Sequence, residues 1–391
     1  METNINKSPT PSPILVNCSR EQTTCAPPVW KRIPNTSFGV GMGLAGQAIL
    51  WRSVQKSKLF GASFDGVARS FNILFWATSL LFSALALVLY VRKAIFHYSL
   101  IKDEIRDGSR VHFCNMPHLI LAMLAIGVPT FVEESISGTG RVVCYAVSLA
   151  AQLYSTSFIY QTWLFSDDSN ITCSRPQFLL SLVGWFVLSA LGSELRIDEL
   201  WSLDLPTFCL GIGLLLYFMV TISIFNSLHT IQMAKGSPAL FLLMAPPSIG
   251  VVAWDNIQRH MMMALNNNSD SDGSPMLLAM GSQMLLGWCM GLLLLLFRIG
   301  PMIMQRPPVL GAYWAYVFPL AALATAMVRY ATLNNKMPAL VLAVVFVMLA
   351  VLGVGIVCCR TLVHVSLVVR GKAEWDDPLL EEDMDEGEAT A

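Results

Sequence analysis

The chain has 391 residues, 54% of them hydrophobic and only 13% charged, and its mean hydropathy is +0.58. That balance excludes a soluble globular domain and places the chain among all-α polytopic membrane proteins. The net charge of −1 offers no basic field for nucleic acid, and nine cysteines without a CxxC pair or metal-ligand spacing imply neither a disulfide scaffold nor a metal site.

In chain order, residues 1–34 form a Ser-, Thr- and Pro-rich head with no apolar core, so no cleavable signal peptide is expected. The head carries SPTPSP at Ser8 to Pro13, where Thr10 and Ser12 precede prolines. A regulatory kinase is therefore a candidate partner, although a solvated tether is the plainer reading. A long apolar body, expected to be the transmembrane domain, follows at 35–367, and an acidic tail closes the chain at 368–391 with the run EEDMDEGE. Head and tail both have the composition of disordered segments.

A helix needs about 20 largely apolar residues to span a bilayer. Ten segments qualify, near 36–51, 70–92, 116–132, 142–164, 178–194, 206–228, 238–254, 275–298, 311–331 and 338–366. An even number puts both termini on one side, and a cytoplasmic placement assigns most of the 25 lysines and arginines to inside segments, as the positive-inside rule prefers. The plasma membrane is the expected location. The loop with Arg52, Lys56, Lys58 and Arg69 opposes this topology mildly. On it the sequon at Asn267 lies outside and the one at Asn170 inside.

Prolines divide the segments into two classes. Segments 3, 7 and 9 carry Pro129, Pro246 with Pro247, and Pro319 in their interiors, whereas Pro206, Pro275 and Pro338 stand only at the starts of segments 6, 8 and 10. A first-turn proline is tolerated because its missing N–H had no helical partner. An interior one removes a backbone bond, and in a bilayer the freed carbonyl must face protein or water. The odd segments are thus expected inside and the even ones outside, as five hairpins around a central pore. Gly39, Gly41, Gly43 and Gly46 in segment 1 and Gly184 in segment 5 fit that reading, although close helix packing is the commoner use of such glycines.

Ionisable residues at membrane depth reduce to His118, Arg141, Arg329 and His364, all near segment ends. Glu133 with Glu134, and Asp167 with Asp168, read as solvated loop caps. With no Asp, Glu or His relay inside the membrane, the almost uncharged lining suits a passive path for weakly held anions better than a pump. No nucleophile–base pair, phosphate-binding loop or metal cluster is visible, so neither an enzyme nor a cofactor is expected.

FGVGMGLAGQAILW (Phe38–Trp51), LAIGVP (Leu124–Pro129), LFLLMAPPSIGVVAW (Leu240–Trp254) and, most specifically, YWAYVFPLAALATAMVRYA (Tyr313–Ala331) resemble plant slow-type (S-type) guard-cell anion channels. More distantly, the chain resembles the bacterial tellurite-resistance/C4-dicarboxylate transporter family. The resemblance implies a homotrimer with one pore per protomer, chloride, nitrate and malate as cargo, and a phenylalanine of an FP pair, here Phe318, that plugs the pore and swings aside. It also offers Arg329 as an anion-attracting mouth, beside its plainer reading as an arginine snorkelling to the interface. Gly39, Gly43, Pro129, Gly184, Pro246, Pro247, Ser248 and Pro319 become candidate pore-lining or kink residues.

The chain departs from the family in segment 5, where VGWFVLS places Trp185 and Leu188 at positions that bear on pore width or helix rotation. The long kinase-targeted head of well-known members has no counterpart before Phe38, so phosphorylation control is not carried over. A dicarboxylate carrier, proton-linked, is the alternative function. A receptor or scaffold without flux gives no reason for kinks confined to alternate helices.

Overall fold

The computed structural model describes residues 35–57, 59–106, 110–135, 138–165, 176–195, 203–230, 238–266, 275–297 and 310–369. The head, the acidic tail, both sequons, Asp167 and Asp168 lie outside the described residues. Among those described, every regular element is helical: α1 (Phe38–Ser57), α2 (Ala62–Phe96), α3 (Tyr98–Arg106), α4 (Met116–Ile126), α5 (Thr130–Ser135), α6 (Gly138–Phe165), α7 (Phe178–Glu194), α8 (Asp204–Thr230), α9 (Ala245–Asn266), α10 (Pro275–Phe297), α11 (Leu310–Asn334) and α12 (Met337–Val369). The protein is an all-α polytopic membrane protein. Each expected segment is occupied by a helix, in the order α1, α2, α4, α6, α7, α8, α9, α10, α11, α12. Among the described residues, six stretches are long and apolar enough to cross a membrane, and three further apolar helices are shorter.

Burial separates these helices into two layers. In the spans Ser63–Phe96, Gly138–Gln161, Asp204–Ser227 and Met337–Ser366 only 11, 22, 39 and 33% of the most apolar window is buried, against 89% in Leu240–Met262 and 67% in Tyr316–Asn334. All of α7 from Phe178 to Ser193 is buried, as is most of α1. The inner helices close a ring, α1 on α4, α4 on α7, α7 on α9, α9 on α11 and α11 back on α1. Each inner helix also packs against the outer helix that follows it in the chain. Outward-facing Leu81, Tyr154, Leu215, Met284 and Leu362 are exposed, as a lipid-facing layer requires.

The glycines of α1 explain how this ring closes. A Cβ on Gly41 would strike the Ser83 hydroxyl of α2, and one on Gly43 would strike the indole of Trp314 on α11. Without those atoms α1 packs flush against both neighbours. Ser79 of α2 then donates to the Gly41 carbonyl at 2.8 Å.

The prolines act in three different ways. Of the expected kink prolines, Pro319 alone lies in the interior of a helix, α11. Pro246 and Pro247 stand in the first turn of α9, directly after a 3-10 segment Pro238–Met244, so the discontinuity is a change of helix type rather than an interior kink. Pro129 follows the end of α4, where the backbone leaves the helix at Gly127 and restarts as α5.

That break exposes carbonyls at membrane depth, and side chains meet them. Trp76 Nε1 donates to Leu124 O at 3.0 Å, Asn72 Nδ2 to Gly127 O at 3.0 Å, and the Arg52 guanidinium to Ile126 O, while the same Asn72 amide reaches Ala48 O within α1 at 2.8 Å. Arg52 is thus not a loop residue. The first helix continues past the expected end at 51 to Ser57 and carries Arg52 and Lys56 with it.

Candidate functional site: a closed passage between the inner helices

All five inner helices, and none of the outer ones, line a small apolar cavity at the centre of the ring. The lining follows helical spacing: Gly46 and Ile49 on α1, Met123 and Ile126 on α4, Val187 and Ala190 on α7, Ile249 and Val252 on α9, and Phe318, Ala322 and Thr325 on α11. Steps of three and four residues keep each set on one face. Thr325 is the polar member, and its hydroxyl is turned back to Ala321 O at 2.8 Å. The cavity measures about 30 Å³, room for a water or two. Phe318 is 1% exposed, with its ring set against the bare face of Gly46.

One helical turn further along the same faces of α1, α7, α9 and α11 lies a wider vestibule of about 260 Å³. Ser53 and Lys56 continue the stripe of α1, Ser193 and Glu194 that of α7, Asn256, Arg259 and His260 that of α9, and Arg329 and Thr332 that of α11. These are the C-terminal parts of their helices, so the inner helices run in one direction and present their negative dipole ends here. Lys56, in the final turn of α1, offsets that polarity.

The charges form a continuous lattice. Arg52 pairs with Glu133 at 2.7 Å, Glu133 with Arg141 at 2.7 Å, and Arg141 with Glu194 at 2.9 Å. Arg329 stands 3.7 Å from both Glu194 and Asp255, and Asp255 pairs with Arg259 at 2.9 Å. Two expectations are corrected by this. Glu133 is held by two arginines rather than solvated, and the lining is uncharged at the constriction but densely charged at this mouth. Arg329 is 12% exposed and faces the vestibule between two carboxylates, so it does not snorkel freely to the interface.

Several candidate residues serve the wall rather than its inner surface. Gly39, Gly43 and Gly184 are not among the cavity's lining residues; their bare faces receive Met116 with Trp314, Trp314, and Gln152 respectively. Ser248 is fully buried and bonds back to Met244 O at 2.6 Å. His118 meets Gln152 at 2.9 Å, away from the passage. Trp185 donates to Thr156 Oγ1 of α6 at 3.1 Å, so the bulky VGWFVLS stretch turns its indole outward and leaves Val187 and Ala190 to face inward.

Sequence reasoning named Gly46 only as part of a bare helix face, took Arg52 for a loop residue, and missed Glu194 and Asp255. A signal for the last three exists, because in a chain with so few charges an ionisable residue near the end of successive odd segments is itself a pattern.

The SLAC1 family of voltage-dependent anion channels matches residues 32–362. Three Arabidopsis thaliana proteins are similar over 86% of this chain: S-type anion channel SLAH2 (26% identical), guard cell S-type anion channel SLAC1 (25%) and S-type anion channel SLAH3 (24%). The matched regions span 60, 56 and 49% of those relatives, so the chain corresponds to little more than half of their length. With the family match extending from before α1 into α12, the chain belongs to the SLAC1 family of voltage-dependent anion channels.

Proposed function

We propose that the protein is a passive anion channel, conducting chloride, nitrate and malate through one pore in each protomer of a homotrimer. All ten segments cross the plasma membrane in this reading, with residues 1–34 and 368–391 cytoplasmic. The observation that carries it is the passage itself: five inner helices surround an apolar constriction filled by Phe318, with a charged vestibule one turn beyond. Phe318 is the gate. Its ring lies on the passage side of α11, directly before Pro319, whose missing N–H loosens the helix where the ring must move.

Conduction rather than carriage is favoured by the absence of an ionisable side chain among the residues lining the constriction. Glu194 and Asp255, the carboxylates a proton-linked dicarboxylate carrier would recruit, lie beyond it and are held by arginines. Arg329, Lys56 and Arg141 supply the anion-attracting mouth. Thr10 and Ser12 remain the sites proposed for a regulatory kinase.

Purified protein in liposomes tests the reading. Anion flux down an imposed gradient, with unitary current steps and reversal potentials that follow the anion gradient, is expected. Saturable uptake driven by a pH gradient, without unitary currents, would replace the channel with the carrier.

A further inference from the structure

Glu194 occupies an unusual place for an anion pathway. It stands four residues after Ala190, which lines the constriction, and so is stacked on the same face of α7 as the first charge met on that helix. Arg329 stands four residues after Thr325 and is its counterpart on α11. The two face each other at 3.7 Å across the neck of the vestibule.

The other carboxylates of the lattice are less available to a passing ion. Asp255 is 1% exposed, is not among the residues lining the vestibule, and is gripped by Arg259. Both oxygens of Glu133 are taken, Oε2 by Arg52 and Oε1 by Arg141. Glu194 gives Oε2 to Arg141 at 2.9 Å, while its Oε1 has only the loose approach of Arg329 among the described residues.

We propose, on the reading that the protein is an anion channel, that Glu194 is a specificity-determining residue that discriminates against divalent anions. Its carboxylate is a tethered anion that competes with the permeating one for Arg329. It keeps the neck attractive to a monovalent ion without holding it. Coulomb energy scales with the product of the charges, so the same carboxylate opposes a dianion about twice as strongly as a monoanion. The vestibule as a whole remains cationic, since Lys56, Arg141, Arg259 and Arg329 outnumber the two carboxylates that line it. Chloride and nitrate are therefore preferred to a dicarboxylate, and the preference resides in a side chain outside the Phe318 constriction.

The experiment measures the malate-to-chloride permeability ratio from reversal potentials under voltage clamp, in a Phe318→Ala background that holds the pore open. Glu194→Gln is expected to raise the ratio roughly three- to tenfold, since a partly screened unit charge a few ångströms from the path acts more strongly on the dianion. Glu194→Asp keeps the charge and is expected to leave the ratio near that of the background. Lys56 lines the same vestibule, is exposed, and makes no ion pair among the described residues, so Lys56→Gln threatens folding little. That variant is expected to lower the ratio roughly two- to threefold, screening by salt making its effect the smaller. If Glu194→Gln does not reach the surface, the same ratio is read from that variant purified and reconstituted in liposomes beside the Phe318→Ala background. An unchanged ratio in the variants that conduct overturns the role of Glu194 while the channel stands. Absence of any anion current in the background channel overturns the channel reading, and this inference with it.

Discussion

The Phe318 ring edge lies 3.2 Å from the point where a side-chain carbon on Gly46 would sit. The ring can fill the constriction because α1 presents no side chain there. A Gly46→Ala substitution forces the ring to yield by a few tenths of an ångström, within a passage that has room for a water or two. Basal anion current is expected to rise at unchanged surface expression, measured by voltage clamp. Gly43→Ala is the contrasting case: its methyl strikes Trp314, which packs away from the passage and bonds Thr361 at 3.2 Å. Lower expression or thermal stability without extra current per surface channel is expected there.

Asn72 secures the break between α4 and α5. Its amide bridges the carbonyls of Ala48 and Gly127, tying α2 to both inner helices at a depth where water cannot replace the bonds. Asn72→Ala leaves the Gly127 carbonyl without this partner beyond the end of α4 and removes the second bond to Ala48 O, which keeps its bond within α1; the unmet acceptor costs about 1 to 3 kcal/mol. A lower unfolding temperature in detergent is expected, read by thermal scanning fluorimetry.

At the opposite end of the inner helices, Lys93 and Glu104 form an ion pair at 2.5 Å with side chains 5 and 7% exposed. Tyr90 also donates to Glu104, at 3.1 Å, so α3 is folded back onto the end of α2. Removing one member strands a buried charge, at a cost of about 3 to 5 kcal/mol, whereas replacing both by apolar residues is close to neutral. Lys93→Met is therefore expected to lower thermal stability markedly, and Lys93→Met with Glu104→Leu to recover most of the loss. Single and double variants compared in one thermal unfolding series check this.

The layered plan was legible in the sequence because a bilayer imposes it: apolar length marks helices, and alternating proline and glycine content marked which face protein. The details depended on distances that sequence does not carry. Pro246 and Pro247 read as interior because the apolar run from 238 continues unbroken through a 3-10 segment, and hydropathy cannot tell that from an α-helix. Gly43 and Gly46 are three residues apart on one helix, yet one meets Trp314 outside the passage and the other Phe318 within it. The ion-pair lattice was illegible for a related reason. Arg52, Glu133, Arg141, Glu194, Asp255 and Arg329 are scattered over nearly 280 residues and meet only when five helices close into a ring.

The central claim is that Phe318 closes the passage, and substitution of its ring tests it most directly. Phe318→Ala removes the side chain that fills the constriction, and basal anion current in a voltage-clamped membrane is expected to rise at least severalfold over the parent channel at equal surface expression. Current indistinguishable from the parent, with the variant present at the surface in normal amount, would contradict the gate.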